Sequence, residues 1–137
     1  MKPKYGYCAV TADFLHIGHI RFIKACADQC QKLIVGIMTD ECVVKYKGRK
    51  PIMNQLERKE IVESIKYVHV CHYQDEFEFN HTIDRMKLFH KEEFVIFCND
   101  EHNRKGADVI IPKIKGISST LFKEIINANI DNCQLSI

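Results

Sequence analysis

The chain has 137 residues, 46% of them apolar and 28% charged, with a formal net charge of +2. That length suits one domain with a real core, and no apolar run approaches the length of a membrane span. The slight basicity does not imply nucleic acid as a partner, while a local basic patch would suit a phosphorylated small molecule. The seven cysteines are odd in number and contain no Cys-x-x-Cys pair. With a short polar opening at Met1–Gly6, they point to reduced thiols in the cytosol rather than to a disulfide framework.

In chain order, residues 5–10 are apolar and predict a first strand. Residues 18–30 show helical spacing, with Ile20, Ile23, Ala27 and Cys30 on one face. The run "KLIVGIMT", 32–39, is continuously apolar, as in a strand buried on both sides of a parallel sheet. Residues 40–51 read as a basic, polar connection. A helix is expected over 54–66, followed by a strand over 67–71. A helix over 81–90, strands over 94–98 and 108–112, and a closing helix over 119–127 complete the pattern. Residues 129–137 read as a tail.

Strands thus alternate with helices. The expected fold is α/β, a single domain built as a Rossmann-like, doubly wound parallel sheet of about five strands. Its core spans residues 5–128. Such sheets bind ligands beyond the carboxyl ends of the strands, at the switch point in strand order.

One stretch stands out there. "DFLHIGHIRF", 13–22, places His16 and His19 around Gly18 where the first strand gives way to a helix. A helix start offers free N–H groups and a positive dipole end, and Gly18 lets a ligand approach the backbone. Two imidazoles add donors for phosphoryl oxygens. The plainer reading, one histidine as a helix cap and the other on the surface, is weaker for a pair at this junction. Zinc does not fit, because metalloprotease pairs are spaced i, i+4 with a glutamate between. In "HVCHY", His69 and Cys71 would face one way and His72 the other, a poor metal site.

Two further segments fall on the same edge. "KYKGRK", with Lys45, Lys47, Arg49 and Lys50, follows the second strand, either as a solvated loop or as mobile cations closing over a triphosphate. "KIKGISST", 113–120, precedes the last helix, where Gly116 permits a tight turn and Ser118, Ser119 and Thr120 offer caps and hydroxyl donors. A serine nucleophile elbow, a Walker lysine motif and a Gly-x-Gly-x-x-Gly loop are all missing from the sequence.

Taken together, the blocks "TADFLHIGH", "IVGIMTDE", "KYKGRKPIMNQLERKEIVESIKYV", "ND" and "KGISST" resemble the cytidylyltransferases of the HxGH nucleotidyltransferase superfamily. The likeness is closest to the bacterial glycerol-3-phosphate cytidylyltransferases. It also extends to enzymes that activate phosphocholine, phosphoethanolamine and hydroxyalkyl phosphonates. His-x-Gly-His alone is shared with adenylyltransferases.

The resemblance implies CTP as substrate, expected Mg²⁺, and a small phosphorylated or phosphonate acceptor whose oxygen attacks the α-phosphorus. It implies catalytic roles for His16, His19, Lys45 and Lys47. Nucleotide contacts are implied for Thr11, Ala12, Phe14, Gly18, Lys66, Asn99, Asp100, Lys113, Gly116, Ile117, Ser118, Ser119 and Thr120. Asp13 is the implied metal ligand, or else it orients the motif. A homodimer is implied too, with 66–72 as a candidate contact. Lys66 and Lys113 stand where the family usually carries arginine, so charge is kept and the bidentate fork is not. Val10 stands where glycine is usual. Ala12 before Asp13 is closer to the phosphonate-activating members.

Overall fold

Three apolar runs long enough for doubly buried strands form the middle of the sheet, and the polar segments between them carry the caps that start its helices. The computed structural model describes residues 1–89, 93–99, 106–112 and 124–128. The element order is β1 (Tyr5–Val10), α1 (Ile17–Ala27), β2 (Lys32–Met38), α2 (Asp40–Lys47), α3 (Gln55–Glu63), β3 (Val70–Gln74), α4 (Asn80–Phe89), β4 (Phe94–Asn99) and β5 (Val109–Ile111). Residues 124–128 are helical, overlapping the expected last helix over 119–127, of which 119–123 lie outside the described residues. The tail 129–137 also lies outside them.

The strand order is β3-β2-β1-β4-β5. All four pairings are parallel, with Tyr5 opposite both Lys32 and Phe94, Ile34 opposite Val70, and Phe97 opposite Val109. The chain runs outward from β1 to β3, then crosses back to β4. The switch point therefore lies between β1 and β4, where connections leave in opposite directions and open a crevice at the carboxyl edge.

Strand alternation assigns the two faces. Cys8, Val10, Leu33, Val35 and Ile37 point to one side and pack with Ile23 and Cys26 of α1 and Val62 of α3. Tyr7, Ile34 and Ile96 point to the other and pack with Phe79, Ile83 and Met86 at α4. Helices cover both faces, as the alternation implied. Gly36 is needed for a local reason: the Tyr7 ring crosses the space a Cβ would occupy. The Tyr7 hydroxyl ends in a 2.5 Å hydrogen bond to Gln74 Oε1, which the Thr82 hydroxyl also reaches at 3.3 Å.

The six described cysteines are buried free thiols. Burial pushes the Cys30 thiol up to about 11 and Cys71 up to about 12, and it raises Cys26 as well. Those three stay protonated, and all six fill the core as small apolar groups.

Two expectations are corrected. Residues 40–47 form α2, where a loop was expected. Thr39 caps it, its hydroxyl accepting from Cys42 N–H; Asp40 and Glu41 occupy the first turn, Lys45 and Lys47 the last, and Gly48 ends it at φ 75°. Every helix signal was present, but the density of charge looked like a loop. The third strand begins at Val70 and runs to Gln74 rather than over 67–71. Tyr67 and Val68 are apolar because they pack on the core from a turn, in which Val68 N–H bonds Ile65 O at 3.0 Å.

Candidate active site at the carboxyl edge

The chain must turn from the end of β1 into α1 within residues 11–16. It does so with two non-glycine residues in the left-handed region, Ala12 and Phe14, each at φ 60°. Such residues cost about 1 kcal/mol or more each and persist only where their surroundings hold them. Asp13, between them, supplies that hold. It is buried, and its Oδ2 accepts Ile52 N–H at 3.0 Å while Oδ1 accepts Met53 N–H at 3.1 Å. One carboxylate therefore staples the turn to the segment leading into α3.

Arg58 of α3 makes the second clamp. Its side chain is fully buried. Nη1 donates to the carbonyls of Thr11 at 2.7 Å and Met38 at 2.8 Å, Nε to Met53 O at 3.0 Å, and Nη2 to Asp40 Oδ1 at 2.6 Å. A planar guanidinium with five donors suits this task, since it ties together the ends of β1 and β2, the start of α2 and the residues before α3. Arg58 is not among the residues the sequence singles out; its one signal there is the "ER" inside the resemblance block.

The two histidines cap α1 for each other. His16 is the N-cap, and its Nδ1 accepts Gly18 N–H at 3.0 Å. His19 Nδ1 accepts His16 N–H at 3.2 Å, completing a capping box built from imidazoles. The rings lie 4.1 Å apart, tilted by 49°. Because both Nδ1 atoms accept, each neutral ring carries its proton on Nε2. The pair thus presents fixed N–H donors at the positive end of a helix. Burial, helped by the neighbouring His16 and by the charge of Lys47, lowers His19 to about 4. His19 is therefore neutral throughout the physiological range, and Lys47 acts on it electrostatically.

On the β2 side, a cleft is lined by Thr11, Asp13, Val43, Lys47, Arg49, Lys50, Pro51 and Ile52. Its floor is the strained turn; its wall is α2 and the segment after Gly48. The Thr11 hydroxyl lies 3.2 Å from the Tyr46 hydroxyl, with Met38 Sδ at 3.5 Å from both.

The sequence profile described as cytidylyltransferase-like matches residues 7–113. The chain belongs to the cytidylyltransferase-like family. Similar curated proteins include an FAD synthase of Pyrococcus abyssi, 45% identical, and one of Pyrococcus horikoshii, 41% identical, each over 56 residues. That stretch is 41% of this chain and only 38% of either relative's length. Among solved structures, a lipopolysaccharide core biosynthesis protein from Thermoplasma volcanium aligns over 85% of this chain and 99% of its own, with a TM-score of 0.63 and 20% identity. That likeness shows a shared fold.

In this cytidylyltransferase-like chain the carboxyl edge gathers Thr11, Ala12, Asp13, Phe14, His16, Gly18 and His19 in one turn and helix start. Lys47 joins them from α2, and Asn99 ends β4 beside the switch point. Two expected residues are not brought there. Lys45 lies two positions from Lys47 on a helix, so it points to the far side and does not line the cleft. Lys66 follows α3 at the amino edge of the sheet, exposed, with Nζ 5.2 Å from the centre of the Tyr67 ring. Asp100, Lys113, Gly116, Ile117, Ser118, Ser119 and Thr120 lie outside the described residues.

For Asp13 the structure shows the contacts of an orienting role. Both of its oxygens are engaged by backbone amides, and among the described residues no group of three His, Cys, Asp or Glu side chains is placed to hold a metal ion. Asp13 thus ties the turn to the segment before α3.

Proposed function

We propose that the chain transfers CMP from CTP to a small phosphorylated alcohol, releasing pyrophosphate and leaving a CDP-alcohol. The observation that carries this reading is the pair of Nε2–H donors, fixed by mutual capping at a helix N-terminus beside Lys47. An acceptor phosphate oxygen forms the new bond to the α-phosphorus. The bond from that phosphorus to the bridging oxygen breaks, and pyrophosphate leaves with its electron pair. No proton needs to be taken from a phosphate already ionised, so an acid–base residue has no task. What the site must supply is alignment and fixed positive charge, which neutral imidazole donors and Lys47 provide without rearranging during the reaction. Membership in the cytidylyltransferase-like family supports the nucleotide chemistry. A hydroxyalkyl phosphonate as acceptor fits the same chemistry, and a cytosolic homodimer belongs to the same reading.

A second reading changes the nucleotide. Relatives named FAD synthase make a product that contains an adenylyl group, and they match 56 residues of this chain. Pyrophosphate release measured with CTP and with ATP, against a panel of phosphoalcohols and phosphonates, separates the two. CTP-dependent release with at least one acceptor supports cytidylyl transfer. Release with ATP alone moves the chain to adenylyl transfer, and silence with both nucleotides refutes the reading.

A further inference from the structure

Val43, Tyr46 and Lys47 leave one side of α2, at spacings of i, i+3 and i+4. Val43 and Lys47 line the cleft, and Tyr46 does not. Tyr46 packs instead with Met38, Cys42, Val43 and Phe77, the small apolar cluster at the carboxyl end of β2. Its ring centre lies 4.6 Å from that of Phe77, the planes tilted by 47°. Lys47 Nζ stands 5.7 Å from the same ring centre, within reach of a cation–π contact.

Phenylalanine would serve this packing as well, so the hydroxyl calls for its own reason. Its oxygen is 3.2 Å from the Thr11 hydroxyl, and Met38 Sδ is 3.5 Å from both. The two hydroxyls bring one proton each, and the thioether brings none. One hydroxyl therefore donates to the other, and the remaining proton turns to sulfur, a weak acceptor.

A proton held that loosely is easily redirected. A phosphoryl oxygen is a much stronger acceptor, because hydrogen bonds to charged groups are about twice as strong as neutral ones. Thr11 lines the cleft, so its hydroxyl is the one of the two that a bound phosphoryl group meets. Once Thr11 gives its proton to that oxygen, Oγ1 is left as an acceptor. Of its two neighbours here, Tyr46 can donate to it and Met38 cannot. A chain running from Tyr46 to Thr11 to phosphoryl oxygen polarises each bond in the same direction.

We propose that Tyr46 is a positioning residue for nucleotidyl transfer: its hydroxyl donates to Thr11 Oγ1 and so aims the Thr11 proton into the cleft at a phosphoryl oxygen. Tyr46 itself touches no substrate and acts through Thr11. This role rests on the nucleotidyl-transfer reading above.

The test is a double-substitution cycle on kcat/KM for pyrophosphate release, run with a nucleotide and acceptor that the wild-type chain turns over. Tyr46→Phe should lower kcat/KM about fivefold, the worth of one hydrogen bond. Thr11→Val should lower it about twentyfold, because a hydrogen bond to a charged oxygen is worth more. The two substitutions together should stay within about twofold of Thr11→Val alone, since the Tyr46 hydroxyl then has nothing to aim. Thr11→Ser keeps a hydroxyl, and in that chain Tyr46→Phe should again cost about fivefold. Thr11→Ala closes the same cycle should valine disturb the turn. A cost of Tyr46→Phe that persists in full without the Thr11 hydroxyl marks a merely structural group and overturns the role. A Tyr46→Phe chain with the wild-type kcat/KM overturns it too. Either result, in an active wild-type chain, leaves the nucleotidyl-transfer reading standing. A wild-type chain that releases no pyrophosphate from CTP or ATP refutes that reading, and the role with it.

Discussion

Residues 11–19 and residues 48–50 both send side chains to one cleft, Thr11 and Asp13 from the first and Arg49 and Lys50 from the second, and they are held in opposite ways. The first stretch is strained and clamped: Ala12 and Phe14 are left-handed, Asp13 is fixed by two amides, and the His16 and His19 rings cap each other's backbone. The second carries two cations with no side-chain partner among the described residues, on a segment that starts at a left-handed glycine. The contrast separates two jobs. Charge that develops at one defined phosphorus is best met by donors that do not move. A substrate that must enter and leave is better met by cations that can follow it. Stability is concentrated in the first stretch, and adaptability in the second.

The strongest way to break the contrast is to remove the clamp. Arg58→Met keeps much of the volume and leaves the carbonyls of Thr11, Met38 and Met53, with the Asp40 carboxylate, without their donor. Breaking a buried charge network of this kind costs about 3–5 kcal/mol. Urea denaturation should show that loss. A loss below about 1 kcal/mol would mean that the strained turn holds itself.

Acid should loosen the same stretch. His19 has its folded-state value lowered to about 4, against an ordinary 6.5. Between those values the unfolded chain binds the proton and the folded chain does not, so stability rises with pH in that window. It is flat above pH 6.5, falls as the pH drops towards 4, and loses about 3 kcal/mol across the window. Comparing wild type with His19→Asn by denaturation at pH 7 and pH 4.5 isolates this residue from the carboxylates. Parallel losses in the two proteins would show that His19 is not buried as a neutral cap.

Capping and catalysis can be separated at His16. Asparagine is a good N-cap, so His16→Asn should keep the fold while removing the Nε2–H donor. The rate of pyrophosphate release should fall about a hundredfold, with stability within about 0.5 kcal/mol of wild type. An unchanged rate would leave His16 as a cap alone.

Much of this arrangement was legible in the sequence, and the rest was hidden for particular reasons. Apolar runs and alternating helices fixed the parallel sheet, because burial on both faces leaves a pattern that few other structures produce. The His-x-Gly-His spacing announced the helix start. Asp13 offered both a metal and an orienting role, and the contacts that support the orienting one, the amides of Ile52 and Met53, lie 39 and 40 residues away. Arg58 went unremarked, since nothing in local sequence reveals that Thr11, just past β1, and Met38, at the end of β2, offer it their carbonyls. The left-handed conformations of Ala12 and Phe14 left no signal either. Strain of this sort is imposed by distant contacts, and neither alanine nor phenylalanine announces it.

The smallest effect is the sharpest check on α2. As a loop, residues 40–51 would let Lys45 and Lys47 converge on one phosphate. As a capped helix they cannot, because residues two apart point about 200° apart around the axis. Lys47 shares its face with Val43, lines the cleft and lies where its charge depresses His19. Lys47→Ala should therefore lower kcat/KM about tenfold or more, the scale of one charge-assisted contact to phosphate. It should also raise the His19 midpoint, which proton NMR titration reads directly, because a like charge has gone. Lys45→Ala should stay within about twofold of wild type and leave that midpoint in place, since an exposed lysine on the far side contributes little. Equal losses for the two would restore the loop reading and take Lys47's special place from it.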